Sequence, residues 1–108
     1  MPFEVLLTAD AVRDLEEIGD WIARHDSPAK AGRVLERIEA AVLALARYPG
    51  RGPHPRELLD LGMREYRETF FKPYRIIYRV IGRRVYVYLV ADGRRDMRSL
   101  LARRLLAG

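Results

Sequence analysis

Tyr74-Arg75-Ile76-Ile77-Tyr78-Arg79-Val80-Ile81, then Gly82-Arg83, then Arg84-Val85-Tyr86-Val87-Tyr88-Leu89-Val90-Ala91, is the stretch that decides the fold. Both runs are dense in β-branched and aromatic residues and are bounded by turn-forming residues, the pattern of two strands. Successive side chains of a strand point to opposite faces. Tyr74, Ile76, Tyr78 and Val80 therefore share one face, and Arg75, Ile77, Arg79 and Ile81 the other. On the return run the same alternation sets Val85, Val87 and Leu89 against Tyr86, Tyr88 and Val90. Gly82 at the head of a two-residue link suits the tight turn of an antiparallel hairpin.

Working backward, residues 64–71 read as a third strand, joined to the hairpin through Lys72-Pro73. Residues 49–62 carry Pro49, Gly50, Gly52, Pro53, Pro55 and Gly62, which marks a loop, with room for one helical turn at Glu57–Leu61. Before it lie two helices. Val12, Leu15, Ile18 and Ile22 recur at three- and four-residue spacing after Thr8, an N-cap type. Trp21 falls at the edge of that stripe. Ala31, Val34, Leu35, Ile38, Val42 and Leu45 form the stripe of the second helix, which restarts at Ser27-Pro28, a cap followed by proline at the first helical position. Phe3-Glu4-Val5-Leu6-Leu7 reads as a first strand. Working forward, Asp92-Gly93 ends the hairpin, and Asp96 caps a last helix reaching Leu106.

The order is thus β-α-α-β-β-β-(α), an α+β fold in which a helical hairpin packs on a mostly antiparallel four-stranded sheet. At 108 residues, 49% hydrophobic and 32% charged, the chain suits one domain over residues 1–108 with one modest core. It has no cysteine, and its apolar runs are too short to span a bilayer. Met1-Pro2-Phe3-Glu4 lacks the plan of a secretory signal. The expectation is a cytoplasmic protein without membrane association.

Charge is distributed unevenly. Residues 1–48 hold 6 basic and 9 acidic side chains, whereas residues 49–108 hold 14 basic and 6 acidic. Eighteen of the 20 basic residues are arginine, which pairs bidentately with carboxylate and phosphate. A face of the sheet and its loops are expected to carry this charge toward a macromolecular partner. Arg83 and Arg84 at the hairpin tip fit a solvated strand edge, while Arg75 and Arg95 are better placed for function. Tyr74 and Tyr78 read as core; Tyr66, Tyr86 and Tyr88 fit either a half-buried sheet or base stacking. His25 and His54 lie in expected loops without motif partners, and no phosphate loop, nucleophile elbow, metal-ligand cluster or cofactor motif is present.

The ordered set Ala11-Val12-Arg13-Asp14-Leu15-Glu16-Glu17-Ile18, Trp21-Ile22, Leu45-Ala46-Arg47-Tyr48-Pro49-Gly50, Tyr74 through Val80, and Gly93-Arg94-Arg95-Asp96 resembles the RelE/ParE toxin superfamily over about residues 3–100. The resemblance implies the toxin half of a bacterial type II toxin–antitoxin pair. RelE-like members cut mRNA in the ribosome, and ParE-like members poison DNA gyrase without being nucleases. By the resemblance, Arg75 and Arg95 match the family's arginines of the middle strand and of the segment after the last strand. The RelE-type lysine pair falls on Tyr66 and Glu68, and the RelE-type C-terminal tyrosine on Leu101. This favours a ParE-like, non-enzymatic toxin, with Arg75, Arg79, Arg94, Arg95 and Arg98 as target-binding candidates and no sequence-specific nucleic-acid binding.

The alternatives are a ribosome-dependent endonuclease using Arg75, Arg95, Glu68 and Tyr66, and an inactive interaction module. A cognate ParD-like antitoxin is implied, forming a hetero-oligomer with the toxin, with Leu15, Ile18, Trp21 and Ile22 as its candidate contacts. No metal or other cofactor is expected.

Overall fold

The computed structural model describes residues 2–106; Met1 and residues 107–108, which the single-domain reading includes, lie outside the described residues. The elements are β1 (Glu4–Leu7), α1 (Ala9–His25), α2 (Pro28–Leu43), α3 (Arg56–Leu59), β2 (Tyr66–Phe71), β3 (Tyr74–Ile81), β4 (Arg84–Asp92) and α4 (Met97–Leu101), the last continued by a π-helical segment, Ala102–Leu106. The strands form one sheet in the order β1-β4-β3-β2, with β1 parallel to β4 and the other two pairs antiparallel.

The helix starts follow from their caps. Thr8 Oγ1 accepts the Ala11 N–H at 3.1 Å, and Ser27 Oγ accepts that of Lys30 at 3.0 Å. Asp96 Oδ1 accepts the Ser99 N–H at 3.2 Å and opens α4 in the same way. The buried stripe of α1 runs through Ala11, Leu15, Ile18 and Ile22, and Val12 is exposed. The expected stripe was therefore one residue off at its start, because Ala11 and not Val12 continues the i, i+4, i+7, i+11 series. The two helices close on each other at Gly19, where an added Cβ would stand 2.8 Å from Leu35 Cδ1.

The main core lies between this helical hairpin and one face of the sheet. Ile38 and Val42 meet Ile76, Tyr78, Val85, Val87 and Val90 there. A second core lies on the opposite face, where Leu58 of α3 and Met97, Leu100 and Leu101 of α4 cover Tyr66, Ile77, Leu89 and Ala91. This corrects the expectation that the sheet face away from the helical hairpin is open and carries the basic residues. That face holds apolar side chains in its middle, and α3 and α4 supply the apolar surface that removes them from water.

A further correction concerns β4. Tyr78 pairs with Val87, but Ile77 pairs with Leu89, so Tyr88 is an extra residue in the strand. This bulge reverses the alternation beyond it: Leu89 and Ala91 join the second core, and Val90 joins the first. β2 also starts at Tyr66, later than the expected residue 64. The one helical turn of the loop runs from Arg56 to Leu59, slightly ahead of its expected place.

β1 covers β4 only as far as Val87, and beyond it the edge is covered by side chains. Asp14 Oδ2 accepts the Val90 N–H at 3.0 Å, and Arg104 Nη2 donates to the Tyr88 carbonyl at 2.9 Å. Arg104 and Asp14 pair bidentately at 2.8 and 3.0 Å, an ion pair that raises the arginine's pKa. The C-terminal segment is thereby fastened to α1 and to the bulge.

Because Leu58 is fully buried in the second core, Leu58→Ala is expected to cost about 3 kcal/mol. Urea unfolding measures this. A loss comparable to that of an exposed leucine would mean that α3 does not hold the second layer.

Candidate functional site

The candidate target and antitoxin residues belong to several elements, and the fold assembles only some of them. Arg75 leaves β3 on the second face and meets two carboxylates. Its Nη1 and Nη2 donate to Glu57 of α3, both at 2.8 Å, and its Nε donates to Glu68 of β2 at 2.7 Å. The hydrogen bonds from Arg75 hold the Glu57 carboxyl below its ordinary range, and those same bonds raise the arginine's pKa. Glu68 is 6% exposed and is the buried charged residue among those described. Two carboxylates against one guanidinium leave this cluster formally anionic. An incoming phosphate would have to displace Glu57 and would meet repulsion from both acids.

Tyr66 is 7% exposed and packs edge-on against Tyr88 with ring centroids 5.6 Å apart. Burial pushes its hydroxyl above the ordinary phenol range, with Arg79, its neighbour on β3, acting in the opposite direction. Glu68 thus lies on Arg75 and Tyr66 further along β2, opposite Arg79, and both are within the protein, not on an open surface. Arg98 pairs with Asp60 at 3.1 Å on the exposed side of α4.

Arg94 and Arg95 follow β4. Arg94 is tied to Asp92 at 2.9 and 2.6 Å, which keeps that carboxyl below its usual range. The exposed Arg95 side chain makes no hydrogen bond or ion pair among the described residues. The turn between them and β3 is tight, for a Cβ on Gly93 would stand 2.8 Å from Arg75 Cδ. Both arginines line an open groove of about 410 Å³ between α1 and the end of β4. Ile18, Trp21, Tyr74, Val90 and Ala91 give this groove an apolar floor, and Asp14 and Glu17 stand on its far side.

Trp21 is 57% exposed and stacks on His25, with centroids 4.3 Å apart. Leu15 and Ile18 are partly buried against the main core, and Ile22 is buried. The groove therefore joins two of the antitoxin candidates, Ile18 and Trp21, to two of the target candidates, Arg94 and Arg95. Arg75 and Arg95 are not brought together as a pair of free cations. Glu57 was not singled out in the sequence, because a carboxylate in a Pro/Gly-rich loop carries no signal of the strand arginine it will meet.

Residues 5–97 match the family model of the ParE toxin of the type II toxin–antitoxin system parDE. The chain belongs to the ParE toxin family. Solved structures agree in fold. A chain of the chromosomal ParDE system of P. aeruginosa superposes with a TM-score of 0.70 at 20% identity, covering 83% of this chain and 95% of that one. A chain of the RelBE2 toxin–antitoxin complex of Mycobacterium tuberculosis gives 0.61 at 24% identity, covering 85% and 92%. Free E. coli RelE, with two arginines replaced by alanine, gives 0.62 at 15% identity, covering 93% of each chain.

Among curated proteins, "Putative toxin Y4kP" of Sinorhizobium fredii is 51% identical over 45 residues, 42% of this chain. That match spans 46% of the relative's length. No helix among the described residues is long and apolar enough to cross a membrane.

The Arg75 cluster gives this ParE-family chain an acid-sensitive element. The folded pKa of Glu57 lies below its ordinary 4.5, so its stabilising contribution is present above that value and is lost as pH falls through the folded value. Glu57→Gln is expected to flatten the dependence of stability on pH below 4.5. Denaturant unfolding between pH 3 and pH 7 tests this, and an unchanged slope in the variant would count against the clamp.

Proposed function

We propose that this toxin acts on DNA gyrase, stalling the enzyme on cleaved DNA, and that a ParD-like antitoxin neutralises it in a cytoplasmic toxin–antitoxin hetero-oligomer. The observation that carries this reading is the state of Arg75. An RNA-cutting site needs a cation free to meet the phosphate and an accessible group to take the 2′-hydroxyl proton. Here the arginine is held by Glu57 and Glu68, and Glu68 and Tyr66 are buried. The endonuclease reading would therefore require the second core to open. A protein-directed toxin requires only an exposed surface.

The groove at the end of β4 is that surface. Arg95 is exposed without an ion-pair partner among the described residues, Arg94 lies beside it, and Trp21 and Ile18 offer apolar contact. Rigid aromatic and arginine side chains at one place are the usual anchors of a protein interface. An antitoxin segment laid on Trp21 and Ile18 would also cover Arg94 and Arg95. Neutralisation then needs no change in the toxin's fold, because antitoxin and target compete for one groove. Arg79 and Arg98 lie outside the groove and contribute at most to its electrostatic surroundings.

Purified toxin at micromolar concentration is expected to inhibit gyrase supercoiling and to accumulate cleaved DNA. Arg95→Glu is expected to weaken this at least tenfold with little change in melting temperature. Absence of any gyrase effect, together with toxin-dependent cleavage of message on translating ribosomes, would overturn the reading in favour of the endonuclease. Induced expression without growth arrest would point to an inactive interaction module.

A further inference from the structure

The edge of β4 opens where the groove begins. β1 pairs with β4 no further than Leu7 opposite Val87, and the chain leaves the sheet at Thr8, whose N–H donates to the Val87 carbonyl at 3.0 Å. The Gly93 N–H donates to the Pro73 carbonyl at 2.8 Å, so Tyr74 and Asp92 form a non-hydrogen-bonded pair, and so do Ile76 and Val90 two residues along. The N–H and C=O of both Val90 and Asp92 therefore point away from β3, toward the uncovered edge. Two of these four groups are taken. Asp14 Oδ2 accepts the Val90 N–H at 3.0 Å, and the Asp92 carbonyl accepts the Arg95 N–H at 3.1 Å. The Val90 C=O and the Asp92 N–H have no hydrogen-bond partner among the described residues. One acceptor and one donor thus stand side by side on a strand edge that lines the groove of about 410 Å³.

The rest of the lining complements that pair. Asp14, Glu17, Ile18 and Trp21 come from one face of α1 at helical spacing. The Tyr48 ring carries the Arg51 guanidinium 4.3 Å from its centroid, whereas Trp21 stacks on the His25 ring and is still 57% exposed. Three carboxylates line the groove. Asp14 is held by Arg104 and Asp92 by Arg94, while Glu17 accepts no hydrogen bond from a described side chain. The charges left without an ion-pair partner among the described residues are thus one carboxylate on α1, Glu17, and one guanidinium past β4, Arg95.

From this arrangement we infer that the groove is a binding site for a nucleoside monophosphate whose base is a 6-aminopurine. The base sets its amino edge on β4. Its amino group donates to the Val90 C=O, and its ring N1 accepts from the Asp92 N–H. Its apolar ring surface packs on Ile18 and Trp21, Arg95 takes the phosphate, and Glu17 accepts from a ribose hydroxyl. A guanine reverses both base contacts, because its 6-oxo group accepts and its N1–H donates, so acceptor would meet acceptor and donor would meet donor. A peptide strand would need a ladder of open backbone groups and finds two. A nucleic-acid strand would need a track of cations and finds one unpaired arginine. The volume lies in the range of about 300–1,000 Å³ usual for small-ligand sites. The inference does not rest on gyrase as the target. A bound nucleotide would occupy the surface on which, in the proposed function, antitoxin and target meet.

The test adds AMP to the full-length, ¹⁵N-labelled chain and follows the Asp92 amide and the fluorescence of Trp21, the one tryptophan. AMP is expected to shift that amide downfield and to quench Trp21, and GMP and IMP are expected to bind roughly tenfold more weakly. Arg95→Gln is expected to weaken AMP roughly tenfold and to leave adenosine unchanged, a split that a folding defect would not produce. The inference is overturned if millimolar AMP moves neither signal, if GMP binds as tightly as AMP, or if Arg95→Gln leaves AMP binding intact or weakens AMP and adenosine alike. It is likewise overturned if an oligodeoxyadenylate binds and AMP does not. These readouts use the toxin alone, so their failure leaves the gyrase reading to its own assay.

Discussion

The extra residue in β4 sets the relation between the two layers of this protein. With Tyr88 inserted opposite the Ile77–Tyr78 step, the strand carries Val85 and Val87 into the helical hairpin and then turns Leu89 and Ala91 to the other face. Without that change of phase, Leu89 would stay on the hairpin side and Val90 would face α3 and α4. The same local disruption frees the Tyr88 carbonyl and the Val90 N–H from regular pairing at the edge β1 leaves uncovered. Arg104 and Asp14 then satisfy them. One local departure from alternation thus underlies the second core, the attachment of the C-terminal segment and one wall of the groove.

The second core decides what Arg75 can do. A guanidinium on a covered face must find counter-charge, and it finds it in Glu57 and Glu68. This turns a residue that would suit phosphate recognition on an open sheet into a link between α3, β2 and β3. Cationic character shifts instead to the perimeter, to Arg94 and Arg95 at one end of the sheet and to Arg47 and Arg51 at the other edge. At both places the arginines stand beside an exposed aromatic ring, Trp21 in one case and Tyr48 in the other. Under the proposed function, the Arg94 and Arg95 rim beside Trp21 is the surface for which antitoxin and target compete. Charge placed at the rim can recruit partners without burdening the core with unpaired ions.

Much of the architecture was legible in the residues. The alternation in residues 74–81, the Gly82-Arg83 turn, and the caps at Thr8, Ser27 and Asp96 each report on a neighbour within a few positions, where local sterics and hydrogen bonding dominate. The bulge was not legible, because Val87-Tyr88-Leu89-Val90 is apolar throughout and reads equally well in either phase. The burial of Ala11 in place of Val12 was not legible either, since a small residue gives a weak hydrophobic signal even when it is fully buried. The membership of Ile18 and Trp21 in a candidate interface was readable from their helical position, but their union with Arg94 and Arg95 in one groove was not.

By itself the sequence determined the element order, the main face of the sheet, the uneven charge and the toxin family, since all of these rest on short-range periodicity or on an ordered set of residues along the chain. Tertiary structure alone decided that Arg75 is held by two carboxylates, that the second face is covered, and that the exposed arginines stand beside Trp21 and Tyr48. Those outcomes depend on pairings across 7 to 18 residues at Arg75 and 90 residues between Asp14 and Arg104. Whether an arginine is free or neutralised is settled by which carboxylate packing brings within 3 Å of it, a quantity that no local pattern of residues encodes.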